Sequence, residues 1–215
     1  MSHNYKQFTS ESVCAGHPDK ICDAISDAIV DAVLTQDPKA KVAVEAAVKD
    51  RVILLGEINT TAKVDYEAIV RPVIKKLGYT NKDWGFDDSS PIEVRVNQQS
   101  PEIAVGVEGD EGAGDQGMMF GYACNETPEL MPLPIALSHD IAEALDEARE
   151  SGNIEYLRPD GKAQVTVSYE DSKPVGVEKV VVAIPHNEEV KLAEVKADVI
   201  EKVVNPTLKK VRLRH

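Results

Sequence analysis

Cysteine is scarce in this chain: Cys14, Cys22 and Cys124 are the whole complement of its 215 residues. The odd count, with no C-x-x-C and no zinc-ligand spacing, speaks against a disulfide framework and a cysteine-built metal site, and predicts free thiols in a reducing compartment. Positive charge is short as well, with 24 Lys and Arg against 37 Asp and Glu and a net charge of −13. So acidic a chain is poorly suited to bind nucleic acid or an anionic membrane surface directly. Long apolar runs are missing too, since none approaches the ~20 residues of a membrane span. The start, Met1-Ser2-His3-Asn4-Tyr5-Lys6, has no apolar signal core, so the expected location is the cytoplasm. What is present suits a soluble protein with a real core, at 42% hydrophobic and 28% charged residues. The length allows one large domain or two small ones.

Two short runs carry the chemistry. In Gly16-His17-Pro18-Asp19-Lys20 an imidazole, a carboxylate and an ammonium group surround a helix start. Pro18 suits the first helical position, where a missing N–H costs nothing, and Asp19 falls near the positive end of the helix dipole. Such a place can take a metal–phosphate ligand. In Gly112-Ala113-Gly114-Asp115-Gln116-Gly117 three glycines flank Asp115 and let backbone come close to a ligand. Taken singly, the first is also an ordinary helix start and the second an ordinary surface turn. If the ligand is a polyphosphate, an acidic chain must reach it through cations, with carboxylates holding Mg²⁺ and a few local Lys or Arg completing the neutralisation.

Periodicity predicts a helix over 21–34, with Ile21, Ala24, Ile25, Ala28, Ile29, Ala32 and Val33 on one face. Asp23, Asp27 and Asp31 then read as a solvated stripe rather than a metal ladder. Residues 41–49 and 52–58 read as two strands of a hairpin turning at Asp50-Arg51, followed by a helix over 65–77 that stops at Gly78. Residues 80–117 read as irregular. A strand over 118–124, a helix over 134–150, strands over 163–169 and 175–184 and a helix over 192–204 complete the pattern, with a turn at Asp171-Ser172-Lys173-Pro174. The order strand, helix, hairpin, helix thus occurs twice with little residue identity, an architectural repeat. Amphipathic helices covering mostly antiparallel sheets make the expected class α+β.

The two glycine runs stand in order with Phe8-Thr9-Ser10-Glu11-Ser12-Val13, Gln99-Ser100-Pro101, Met118-Met119-Phe120-Gly121-Tyr122-Ala123, Asn125-Glu126-Thr127 and Leu157-Arg158-Pro159-Asp160-Gly161-Lys162. At these separations the chain, from about residue 7 to 205, resembles the S-adenosylmethionine synthetases (methionine adenosyltransferases). The resemblance implies synthesis of S-adenosylmethionine from ATP and L-methionine: the sulfur attacks C5′, expels triphosphate, and the triphosphate is cleaved to pyrophosphate and phosphate. Sulfur needs no general base, so the site must mainly stabilise the leaving group with cations and donors and align the reacting atoms. The resemblance implies His17 and Lys162 as catalytic groups, and His17, Asp115, Asp160 and Lys162 as ATP contacts. It gives Glu57, Gln99 and Asp115 to methionine, Asp19 to magnesium (the family expects two Mg²⁺) and Glu45 to K⁺. It also implies a homodimer or a dimer of dimers with active sites between subunits. The implied domains are an N-terminal one over 1–103, a mobile active-site loop and glycine-rich turn over 104–117, and a central one over 118–215.

The hairpin bears on two of these roles. A two-residue turn at Asp50-Arg51 places Glu45 opposite Gly56 and leaves Glu57 on the other face, whereas a three-residue loop puts Glu45 directly across from Glu57. If both line one site, a three-residue loop or a bulge is expected, with cations near the two like charges.

The chain departs from the family pattern in three places. Ala15, preceded by Cys14, stands where a glutamate is usual, and Cys14 lies close enough to the site to raise the question of oxidation. The stretch between Gln99 and Gly112, which the family uses as a mobile lid, is several residues shorter than in many relatives, and lid motion can limit turnover. The chain also carries two architectural units where the family has three, without the further cationic groups of the third; the basic tail Lys209-Lys210-Val211-Arg212-Leu213-Arg214-His215 reads as a solvated end and not as their replacement. The expectation is a truncated chain with apolar surface left open. A non-catalytic nucleotide- or methionine-binding remnant, or a regulatory partner of a full-length enzyme, is the alternative.

Overall fold

The computed structural model describes residues 6–98 and 117–210. The chain forms two compact units, Pro18–Phe120 and Met1–His17 with Gly121–His215. The N-terminal strand therefore belongs with the second half of the chain.

In the unit that begins at Pro18, helix α1 (Pro18–Gln36) starts on the proline itself, with Asp19 in the first turn. Ile21, Ile25, Ile29 and Val33, spaced by four, are its buried stripe, and Asp23, Asp27 and Asp31 are exposed, as the solvated reading expects. Asp37 ends the helix and ties it to the sheet: its carboxylate accepts hydrogen bonds from the Thr61 N–H (2.8 Å) and the Thr60 hydroxyl (2.9 Å). Strands β2 (Lys41–Val48) and β3 (Val52–Asn59) form an antiparallel hairpin. Helix α2 (Tyr66–Lys76) is capped by Asp65, whose carboxylate accepts the Ala68 N–H, and buries Val70 and Ile74. A 3₁₀ turn over Lys82–Trp84 leads to β4 (Ile92–Gln98).

Strand β4 and the 3₁₀ turn lie inside the segment expected to be irregular. The alternation Ile92, Val94, Val96 against Glu93, Arg95, Asn97 is short and follows Pro91, which hides it. Strand β4 pairs with β3 in parallel, so the three-stranded sheet β2-β3-β4 is mixed. A parallel pair needs a crossover connection, and α2 supplies it. Helices and sheet enclose one core containing Ile25, Ile29, Leu54, Val70, Ile74 and Phe86.

In the other unit, β1 (Gln7–Val13) pairs antiparallel with β5 (Lys162–Glu170), and β5 with β6 (Lys173–Ala183). The β5–β6 turn uses only Asp171 and Ser172, both at positive φ (48° and 63°), while Lys173 and Pro174 already belong to the strand. Helix α3 (Leu133–Glu150) packs Leu137, Ile141 and Leu145 onto β5, whose Ala163, Val165 and Val167 are fully buried. Helix α4 (Leu192–Val199) continues through a π turn (Ile200–Val204) into α5 (Asn205–Lys209). The π turn, closed by the Asn205 N–H on the Ile200 carbonyl, lets the helix run on past Pro206, which has no N–H to offer.

The repeat is therefore exchanged rather than simple. Each helix–hairpin–helix set forms in its own half of the chain, but the strand that opens the first set, β1, completes the sheet of the second. The strand expected over 118–124 is not formed: residues 117–124 have no regular structure, and Met118, Met119 and Phe120 are 79, 88 and 88% exposed.

Candidate functional site

The end of β1 and the start of β5 bring two distant motifs together. Val13 pairs with Lys162, and one residue on, the Cys14 N–H donates to the Gly161 carbonyl at 2.9 Å. The chain then turns, with the His17 N–H donating to the Cys14 carbonyl at 3.0 Å. Contact between the two segments is close enough to require glycine on both sides. A Cβ at Gly16 would sit 2.4 Å from the Pro159 Cβ and 2.5 Å from its carbonyl oxygen, and one at Gly161 would sit 2.7 Å from the Cys14 Sγ. Gly16 thus serves close packing of backbone on backbone, a role distinct from room for a ligand. His17 and Asp160 are half-buried in this corner and Lys162 is exposed at its rim. Asp160 closes its own turn by accepting the Gly161 N–H at 2.7 Å.

What braces this corner carries no signature in the sequence. Asp146 of α3 accepts the Ala15 N–H at 2.8 Å, and Arg149, one helical turn on, lies 3.8 Å from the same carboxylate. An i,i+3 acid–base pair is common on any helix, so only the fold distinguishes it. Cys14 is 1% exposed, and its thiol faces the Ala142 carbonyl. Burial, then the charges of Asp146 and Asp160, push its pKa up to about 12. The thiol stays protonated and inert, which answers the question of oxidation at this residue.

Asn125-Glu126-Thr127 is a structural clip. The Glu126 carboxylate accepts the Leu133 N–H at the start of α3 (2.9 Å) and the Tyr169 hydroxyl of β5 (2.8 Å). The Thr127 hydroxyl donates to the Met131 carbonyl at 2.8 Å.

In the other unit, the hairpin has the odd loop. Val48 pairs with Val52, so Lys49, Asp50 and Arg51 form a three-residue connection. Glu57 lies opposite Ala43 and Glu45 opposite Leu55, which puts both carboxylates on the outer face of the sheet. The expected direct pairing of Glu45 with Glu57 is not formed: with Val48 closing on Val52 the register sets them two positions apart, as diagonal neighbours roughly 7 Å apart by sheet geometry. Both are exposed, and the parallel pairing adds Asn97 beside Glu57 and Arg95 beside Leu55 in the same rows. Gly56 marks the closest approach of the two strands: its φ is +131°, and a Cβ there would sit 2.0 Å from the Ala43 carbonyl oxygen. Asp19 is exposed at the first turn of α1 in the same unit. Among the described residues no three His, Cys, Asp or Glu side chains gather as a metal cage. A single carboxylate does fit Mg²⁺, which keeps most of its waters and takes its other ligands from a phosphate. Gln99 and Asp115 lie outside the described residues.

The comparisons with known proteins agree with the motif order. Residues 5–101 match the family model for the N-terminal domain of S-adenosylmethionine synthetase, and residues 110–215 the model for its central domain. The S-adenosylmethionine synthase of Trichormus variabilis is 50% identical over 230 residues, covering 96% of this chain and 54% of that protein. The enzyme of the same name from Prochlorococcus marinus is 50% identical over 209 residues, 91% of this chain and 51% of that protein. That from Thermosynechococcus vestitus is 47% identical over 231 residues, 96% and 56%. The chain spans about half the length of the curated relatives it matches.

Proposed function

This chain belongs to the S-adenosylmethionine synthetase family, and we propose that it takes part in making S-adenosylmethionine from ATP and L-methionine. The observation that carries this reading is the interlocked corner, in which the backbone joins Cys14 to Gly161 and so gathers His17, Asp160 and Lys162 from segments far apart in the chain. In the proposal His17 donates to the departing oxygen, Lys162 meets phosphate charge, and Asp160 orients the nucleotide. Glu57, exposed on its sheet face, pairs with the ammonium group of methionine, assisted by Gln99, while Asp115 contacts the adenosine or methionine side. Asp19 is the magnesium ligand and Glu45 the potassium ligand. When bound, these cations neutralise the triphosphate that leaves. The domain limits 1–103, 104–117 and 118–215, a symmetric dimer or dimer of dimers, and a cytoplasmic location are parts of the same proposal. No helix among the described residues is long and apolar enough to cross a membrane.

A second reading follows from the net charge of −13, which leaves few cations to stabilise a departing triphosphate. Here it binds nucleotide or methionine without turnover, or regulates a full-length enzyme. One experiment separates the two. The purified chain is incubated with ATP, L-methionine, Mg²⁺ and K⁺, and S-adenosylmethionine and pyrophosphate are followed by mass spectrometry. Product that disappears in His17→Ala supports catalysis. Folded chain that binds MgATP by calorimetry but forms no product refutes independent catalysis and leaves the second reading.

A further inference from the structure

We propose that Asp146 is a positioning residue for His17: its carboxylate, charge-balanced by Arg149, fixes the turn that runs from Cys14 to His17. The inference rests on the reading of His17 as a nucleotide contact. Among the backbone donors of this turn, Cys14, Ala15 and His17 each have a different partner. The Cys14 N–H goes to Gly161 of the neighbouring segment and the His17 N–H returns to Cys14. Between them the Ala15 N–H goes to Asp146 at 2.8 Å. Asp146 supplies the anchor from α3, on a helix whose position is set by the core residues Ile141 and Leu145.

The charge arrangement makes this anchor more than a surface contact. The Asp146 and Arg149 side chains are only 18 and 12% exposed. The Arg149 Nε is buried with no hydrogen-bond partner among the described residues. A further carboxylate near this guanidinium, Glu150 at 2.9 Å, is 59% exposed and therefore well screened. A carboxylate accepting a backbone N–H makes a charge-assisted hydrogen bond, stronger than a neutral one. Position 15 adds a second consideration. It carries alanine where the resemblance leads one to expect glutamate, so the carboxylate at this turn comes from the helix instead of from the loop. The Cβ of residue 15 is two bonds from the amide that Asp146 holds, so a glutamate there starts its reach at the same spot.

The test uses three variants of the full chain: Asp146→Ala, Asp146→Asn, and Asp146→Ala combined with Ala15→Glu. Hydrogen exchange at the Ala15 amide, the NMR shifts of the His17 ring and calorimetric MgATP affinity are measured for each. Asp146→Ala is expected to speed Ala15 exchange about tenfold or more, the size of a lost hydrogen bond to a charged group. It should also move the His17 ring signals and weaken MgATP about tenfold. Asp146→Asn keeps an acceptor oxygen without the charge and is expected to fall between, which keeps the test open if the alanine variant folds poorly. The double variant returns a carboxylate to the turn and is expected to recover the ring shifts and most of the affinity, which a merely structural role for Asp146 does not predict. Unchanged Ala15 exchange in both single variants overturns the proposal. Uniform loss of protection across β1 and β5 with no recovery in the double variant also overturns it. Ala15 released with MgATP affinity unaltered supports the anchor and refutes His17 as a nucleotide contact, so the two failures are distinguishable.

Discussion

Gly16→Ala adds one methyl group at the tightest contact in the candidate site. The added Cβ would lie 2.4 Å from the Pro159 Cβ, 2.5 Å from its carbonyl oxygen and 2.6 Å from its carbonyl carbon. Two of these atoms are backbone and the third belongs to a rigid ring, so none can swing away. Relief requires the two segments to part by about 1 Å, to reach ordinary contact, and overpacking of this kind costs roughly 1–3 kcal/mol. Parting also stretches the Cys14–Gly161 hydrogen bond, now 2.9 Å, whose loss costs a further 0.5–1.5 kcal/mol or so. The sum, about 1.5–4.5 kcal/mol, should lower the melting temperature by roughly 3–18 °C for a chain of this size. Differential scanning calorimetry measures it directly. Gly121→Ala is the control, because nothing lies within 4 Å of a Cβ there and its φ is not positive; its stability should change by less than about 0.5 kcal/mol. A Gly16→Ala protein that melts within a degree of the parent refutes the claim that the corner is closed by glycine.

Gly56→Ala should destabilise the hairpin by about 2 kcal/mol or more, since the residue combines positive φ with a 2.0 Å approach to the Ala43 carbonyl oxygen; urea titration reads the loss, and an unchanged midpoint contradicts the assigned register. Cys14, buried and with its pKa at about 12, should resist iodoacetamide at pH 8 until the chain is unfolded, while Cys124 reacts in the folded protein; peptide mapping of the label decides. Asp37 and Asp198 are both held below the ordinary carboxylate pKa, Asp37 by hydrogen bonds from Thr61 and Thr60 and Asp198 by those from Tyr156 and Lys202. Below about pH 4 the unfolded chain therefore takes up protons that the folded one refuses. Stability from these groups is complete above that pH and is lost as the pH falls through the folded values. Thermal melts from pH 6 to 2 should show a shallower acid decline for Asp37→Asn and Asp198→Asn than for the parent.

The helix start within the candidate site was legible in the sequence, but the packing around the motifs was not. Gly16-His17-Pro18 announces a helix start, and Pro18 does begin α1. Nothing in the run says that Gly16 is a packing glycine, because the atoms it meets belong to Pro159, far along the chain. Asn125-Glu126-Thr127 marks the family and proves to be a clip between α3 and β5, a role visible only once Tyr169 stands beside it. The same holds for Asp146, an unremarked acid on a helix until the fold places the Ala15 amide against it.

What the sequence determined by itself was local and periodic. Apolar residues at i and i+4 fix the inner face of α1, and alternation fixes the buried side of β5, since both repeats are completed within a few residues. Strand partnership is a choice between distant segments and leaves no local trace. Only the tertiary structure sent β1 to β5, set β4 parallel to β3, and withheld strand structure from residues 117–124. It alone also decided the face that Glu57 shares with Glu45. Side chains alternate every residue along a strand, so one residue more or less in the hairpin loop would have put those two carboxylates on opposite sides of the sheet.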